Sequence, residues 1–465
     1  VEPDSQHAEL VPPSSSPINP YPEAFRADVV DDLHGHRVAD PYRWLEDRSD
    51  PATEHWIETQ AEIFGSQRDT WGSVGHWRSR IEALLGSGTV SIPVWRGERR
   101  FFMQRNPDQE HAVLLCVDPD GTQRVLIDPA KIDPSGLTTL DAWQPDKQGR
   151  QLAYQLSVGG TEESAVYVLN VDNGERVEGP IDRARYSPIA WLLDGTAYYY
   201  VRRLPPDQVP RGEEQFHRRV WLHTVGDDPA NDVLIFGEGR KPTEYFGVAV
   251  SRDGRWLTLS ASEGTAPRND LWIADLSASE PAEPRLTPVQ VGVDARTGVN
   301  IGRDGRAYVY TDFGTQRGRI CVADPEDLRV RHWRDLIRER TNSVLEGYAI
   351  LDGPELERPI MLVSWTTHAV AQVTIHDLDT GEQVGEVELP GIGTISGMSG
   401  HPEGGHEVWF SYTDHATIPR VMKFDALTGE LTVDAYPPGF VAVPRISATM
   451  KVCRSKDGTE VRLMV

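Results

Sequence analysis

The sequence predicts a mainly β chain, a seven-bladed β-propeller preceded by N-terminal helices. Three observations point there. A unit of about fifty residues recurs roughly seven times after Gly86. Within each unit, short alternating apolar segments are separated by tight-turn signals such as Asp-Gly. Helical apolar spacing is confined to the region ahead of Gly86.

The chain has 465 residues, too many for one ordinary core and enough for two domains. Residues 1–27 are rich in Pro and Ser and lack the apolar centre of a signal peptide, so an extended leader is expected there. Residues 28–86 form the helical segment. Asp40-Pro41 and Asp50-Pro51 each offer an acidic N-cap followed by proline at the first helical position. After Pro51, the residues Trp56, Ile57, Gln60, Ala61 and Phe64 share one face. Trp77, Ile81, Leu84 and Leu85 form a second stripe that Gly86 stops. Helices this short need a partner surface for such faces.

The propeller is expected over residues 87–440. Its clearest copies are Ala142 to Val177, Ile189 to Phe236, Val248 to Thr287 and Val299 to Trp333. Weaker copies flank them, from Val90, Gly347 and Ile395. Alternating residues such as Leu257 and Leu259, or Tyr198 and Tyr200, place one face on a neighbouring sheet. A two-sheet sandwich is the competing arrangement, and regular four-strand spacing disfavours it. Residues 441–465 leave this register. They read as a strand, an Asp-Gly hairpin and a strand that stops at Val465 in an apolar run, which is expected to be a truncation because strand backbone groups need partners.

A net charge of −24 disfavours a nucleic-acid partner, since phosphate binding needs basic patches. No apolar run is long enough to span a membrane. Cys116, Cys321 and Cys453 are too few and too scattered for a disulfide framework or a zinc knot, which fits a reducing cytoplasm, with a periplasmic or secreted location left open.

The block "LHGHRVADPYRWLED", Leu33 to Asp47, followed by Trp56 and Gln60 in W-x-x-x-Q spacing, resembles the N-terminal signature of the prolyl oligopeptidase family of serine peptidases. The repeats follow at the expected place, and "SKDGTEVRLMV" resembles the first hydrolase strands of that family. The resemblance implies that the N-terminal helices belong to an α/β-hydrolase domain whose core is largely absent from this chain. It implies cleavage of short, proline-containing peptides after proline. The propeller would enclose the substrate and exclude folded proteins, and no cofactor or metal is implied. The missing hydrolase domain is the expected partner. A non-catalytic binding propeller and a sister peptidase branch remain alternatives.

No residue is assigned as catalytic. Such a hydrolase needs a serine on a G-x-S-x-G elbow. "GMSGH" at Gly397 and "GTISG" at Gly393, with Ser396, both miss it, and both are expected in turns. His34 and His36 could be a metal pair, but two ligands make a poor site. Asp40 and Asp47 are more simply an N-cap and a helix-face charge than an acid pair. Tyr42, Trp44 and Leu45 are expected to pack between domains. "GGHEVWF" around His406 completes no metal motif. "RARYSPIAW", Arg183 to Trp191, looks like the family's segment that turns an aromatic toward the peptide cavity. Tyr186 is therefore a candidate substrate-binding residue or, alternatively, a propeller core tyrosine. The polar stretch Arg202 to Arg219 is expected to be a functional or mobile loop inside one blade.

Overall fold

The computed structural model describes residues 21–443 and 445–465. Most of the expected leader lies outside them. Two compact units emerge, one ending at Leu85 and one spanning Gly86–Val465.

In the first unit, Val30–Leu33 and His36–Ala39 pair as an antiparallel hairpin that the sequence did not announce. His34 and Gly35 form its turn, both at positive φ, and Gly35 N donates to Asp32 Oδ1. The two histidines thus belong to an exposed hairpin. Asp40 is not a cap. The next turn is a 3-10 helix, Arg43–Glu46, entered through a non-helical Tyr42, so Asp40 lies too far upstream to reach its amides. Asp40 instead accepts from Arg43 Nε at 2.9 Å, and Asp31 also holds that guanidinium. Nor is Asp47 a helix-face charge: it follows the 3-10 turn and accepts from the backbone N and Oγ of Ser49.

Helix α1, Pro51–Arg68, starts as expected, with Asp50 accepting from Ala52 N at 2.8 Å. Helix α2 is Val74–Leu85. Ile57 and Phe64 on α1, and the whole stripe Trp77, Ile81, Leu84 and Leu85 on α2, are exposed.

The second unit holds the seven blades, each a four-stranded antiparallel sheet in sequence order: 89–127, 138–181, 189–236, 244–290, 297–337, 344–387 and 393–435. Blade 1 differs in one respect. Its first strand is split at Pro93 into Thr89–Val90 and Val94–Arg96, both paired with Arg99–Arg105, because proline cannot donate to the ladder. The segments "GTISG" and "GMSGH" are not loops. They form the innermost strand of blade 7, Gly393–Gly400, paired with Glu407–Asp414 and bulged between Ser396 and Ser399. Cross-strand pairing overrides the weak strand preference of Gly and Ser.

The core lies mainly between blades. Leu257, Val220 and Phe246 join blades 3 and 4, and Phe410, Leu362 and Tyr412 join blades 6 and 7. Antiparallel order puts the second-to-third-strand loops and the blade-to-blade connectors on one rim and the remaining turns on the other. The chain enters and leaves on the connector rim, where Gly439 N donates to Ser87 O at 2.9 Å. A side chain at Gly439 would collide with Gly86 O, so that crossing requires glycine. The strands Met450–Arg454 and Glu460–Met464 form the expected hairpin.

Blades 2 and 3 enclose a polar cluster between them. The His223 imidazole, with no exposed surface, meets Asp232 at 2.6 Å and Glu178 at 3.1 Å. Tyr198 and Tyr200 donate to the same two carboxylates. Burial alone would lower the imidazole pKa, but the hydrogen bonds and charges of Asp232 and Glu178 outweigh it and raise it to about 9.

Two outcomes follow from these cores. Phe410→Ala should cost about 3–5 kcal/mol of unfolding free energy, measured by urea titration. The His223 cluster is fully stabilising below its unfolded pKa of about 6.5 and loses that stabilisation as pH rises through about 9. Stability measured across that window should fall in the wild type, and His223→Gln should flatten the fall.

Candidate functional site

Backbone strain points to the connector rim beside blades 2 and 3. Glu162, Arg183, Tyr186 and His217 are non-glycine residues at φ between 56° and 59°, and all four lie on that rim. Side chains rarely adopt this conformation, and such residues concentrate where surrounding contacts enforce it, often at functional sites.

Tyr186 occupies the connector between blades 2 and 3. It is 53% exposed, so it is no core tyrosine. Its backbone is fixed from below: buried Gln155 donates to Ser187 O at 2.7 Å, and Ser187 Oγ accepts from Val201 N at 2.9 Å. Its hydroxyl donates to the Glu162 carboxylate. Arg185 lies over its ring at 4.8 Å and donates to the same carboxylate. The hydrogen bonds from Tyr186 and Arg185 hold the Glu162 carboxyl below its ordinary range. Glu162, Tyr186, Gln155, Asp141 and Phe246 line a cavity of about 540 Å3. The exposed Tyr186 ring beside two carboxylates makes a wall that can receive a ligand and orient its polar groups.

A second layer supports this wall. Arg203, nearly buried, pairs with Glu163 and donates to Glu214 O and Gln215 Oε1, which ties down the long loop of blade 3. That loop contains a short 3-10 turn, Pro206–Gln208. Arg218 lies over the Tyr245 ring at 3.9 Å. Burial, with Arg203 and Arg185 nearby, lowers the pKa of its guanidinium.

The other candidates do not join this site. His34 and His36 lie on the first unit's hairpin. Ser396 lies on a strand that runs into another strand, not into a helix as a nucleophile elbow would. His406, Glu407 and Asp425 are spaced for a metal ion, yet the Lys423 ammonium already bonds Glu407 at 2.6 Å. Sequence reasoning missed Glu162, Asp141, Phe246 and Arg218. The Gly-Gly-Thr-Glu-Glu run after a strand was the one local signal for Glu162, since glycines there mark a tight turn.

A closed ring of seven four-stranded blades, with a strained aromatic and charged wall on its connector rim, defines a propeller domain that bears a ligand-sized cavity. Residues 21–435 match the family model described as prolyl oligopeptidase, N-terminal beta-propeller domain. The chain belongs to the prolyl oligopeptidase family. It is 26% identical to the prolyl endopeptidase of Elizabethkingia miricola over 447 residues, 96% of this chain and 61% of that protein. Against the prolyl endopeptidase of Elizabethkingia meningoseptica it is 26% identical over 457 residues, covering 97% and 62%. A solved structure from a study of two prolyl endopeptidases superimposes with a TM-score of 0.83 at 26% identity, covering 96% of this chain and 64% of that one. The chain thus spans under two thirds of the length of these relatives.

Because Tyr186 stands out from the core and loses only surface contacts to Glu162 and Arg185, Tyr186→Ala should cost about 1 kcal/mol of unfolding free energy or less. Trp191→Ala, five residues on and buried, should cost about 3–5 kcal/mol in the same urea titration.

Proposed function

We propose that this chain is the N-terminal segment and propeller of a prolyl oligopeptidase-type serine endopeptidase that cleaves short peptides after proline. The observation that carries this reading is the match of nearly the whole chain to prolyl endopeptidases. In this reading residues 28–86 and 441–465 belong to an α/β-hydrolase domain completed by further sequence. The exposed stripe on α2 and the apolar residues Val452, Val461 and Leu463 of the last hairpin support it, because each is an apolar face exposed among the described residues.

The chemistry would reside in the hydrolase portion. A serine attacks the carbonyl after proline, a histidine takes its proton and returns it to the leaving amine, and an aspartate orients the histidine. Backbone donors stabilise the tetrahedral oxyanion. The propeller holds the peptide: Tyr186 packs against its side chains, and Glu162 keeps Tyr186 in its strained pose. Enclosure excludes folded proteins and water-borne competitors from the serine. No described helix is long and apolar enough to cross a membrane. The few, scattered cysteines favour a reducing cytoplasm over a periplasmic or secreted location.

The test uses the intact polypeptide that carries this chain. Chromogenic peptides linked through proline should be cleaved, and those linked through Arg or Lys should not. Preferential cleavage after Arg or Lys would move the chain to a sister branch, and a complete gene product without a serine elbow would reduce it to a binding propeller. Tyr186→Ala should raise KM about tenfold for peptides long enough to reach it, with kcat little changed, since it removes binding shared by ground and transition states.

A further inference from the structure

The rim opposite the connectors closes over the central channel through charged side chains from blades that are not neighbours. Arg252 of blade 4 donates to Lys147 O of blade 2 and pairs with the Glu403 carboxylate of blade 7. Lys147 Nζ donates back to Val250 O of blade 4 at 2.6 Å. Arg96 of blade 1 reaches Asp146 O with Nε at 2.8 Å and Trp95 O with Nη1 at 2.7 Å. Three cations therefore meet at the channel end, and only Arg252 has a carboxylate in direct contact.

The partners of the other two are backbone carbonyls. Asp146 and Asp253 stand near, but neither carboxylate contacts the two cations directly, and Asp146 Oδ2 is buried without a hydrogen-bond partner. Asp146 Oδ1 accepts from Arg150 N, and Asp253 Oδ1 accepts from Arg255 N and Ser251 Oγ. Burial, with neighbouring cations, depresses the pKa of both groups, Lys147 to about 8 and Arg96 to about 10, against a smaller opposing pull from Glu403, Asp146 and Asp253. Arg96 and Lys147 are each partly buried, and the carboxylates near them make no direct contact with either, so a negative group seated between them gains charge-assisted hydrogen bonds. The two cations share a cavity of about 340 Å3, whose remaining wall includes the apolar Pro145, Ile189, Trp191 and Val248.

We propose that this closed end of the channel binds a small oxyanion, a carboxylate or phosphate group, between the Arg96 guanidinium and the Lys147 ammonium. Arg96 Nη2 and the remaining N–H groups of Lys147 supply charge-assisted donors, and the apolar wall excludes water from around them. A cavity of this size admits an inorganic oxyanion or the terminal carboxylate of a short peptide segment.

The proposal is tested on the full chain by titrating acetate, inorganic phosphate and neutral acetamide at fixed ionic strength and pH 7, following the melting temperature. A saturable stabilisation by acetate or phosphate, absent with acetamide, is expected. Stronger acetate binding identifies a peptide carboxylate as the source, and stronger phosphate binding identifies a free oxyanion. Lys147→Met and Arg96→Met should each weaken the saturable effect about tenfold or more, and Lys147→Arg should restore most of it. Equal shifts with acetate, phosphate and acetamide, or saturable shifts unaltered in both Met variants, would overturn the assignment. Peptide cleavage plays no part in this readout, so it stands or fails separately from the peptidase reading.

Discussion

The ring must close without a strand shared between its first and last blades. Blade 1 is built wholly from residues 89–127 and blade 7 from 393–435, so no backbone ladder runs across their seam. Side chains carry the closure. The blade 7 turn beginning at His401 does much of it. His401 lies against Trp95 of blade 1 at 4.3 Å and Trp409 of its own blade at 5.3 Å. Two residues on, Glu403 crosses to Arg252 of blade 4. Gly404 then lets Arg303 of blade 5 pass so closely that a Cβ would collide with its guanidinium. One turn thus links three other blades, and aromatic packing replaces the missing hydrogen bonds.

This division of labour separates the two rims. The closed rim is crowded with cations, carbonyls and one cross-channel ion pair, which favours a fixed geometry. The connector rim carries the strained residues and the exposed Tyr186, which favours binding. A propeller suits this because its blades are held by burial between sheets, so loops at either rim can diverge while the cores stay packed.

Much of the fold is legible in the sequence because its physics is local. Asp-Gly and Asn-Gly turns and two-residue alternation announce blades 2 to 5, and Asp50-Pro51 announces α1. What was not legible depends on contacts distant in sequence. Each strand of the first hairpin has four residues, too few for alternation to register among so many acids. Asp40 resembled a cap until the chain delayed its turn by two residues. The strand Gly393–Gly400 has loop composition and is a strand because Glu407–Asp414 pairs with it. At the site, Tyr186 was visible as an aromatic, but its partner Glu162 comes from another loop 24 residues away, and no spacing rule joins them.

The proposed function rests on a peptide chamber walled by the propeller. The measurement that addresses it most directly compares cleavage of one proline-containing sequence by the intact polypeptide in two settings, as a short free peptide and as a loop of a stably folded carrier protein. The account predicts cleavage of the free peptide and none of the folded carrier, with cleavage recovered once the carrier is unfolded and cut into short fragments. Equal rates on the free peptide and the folded carrier would contradict it.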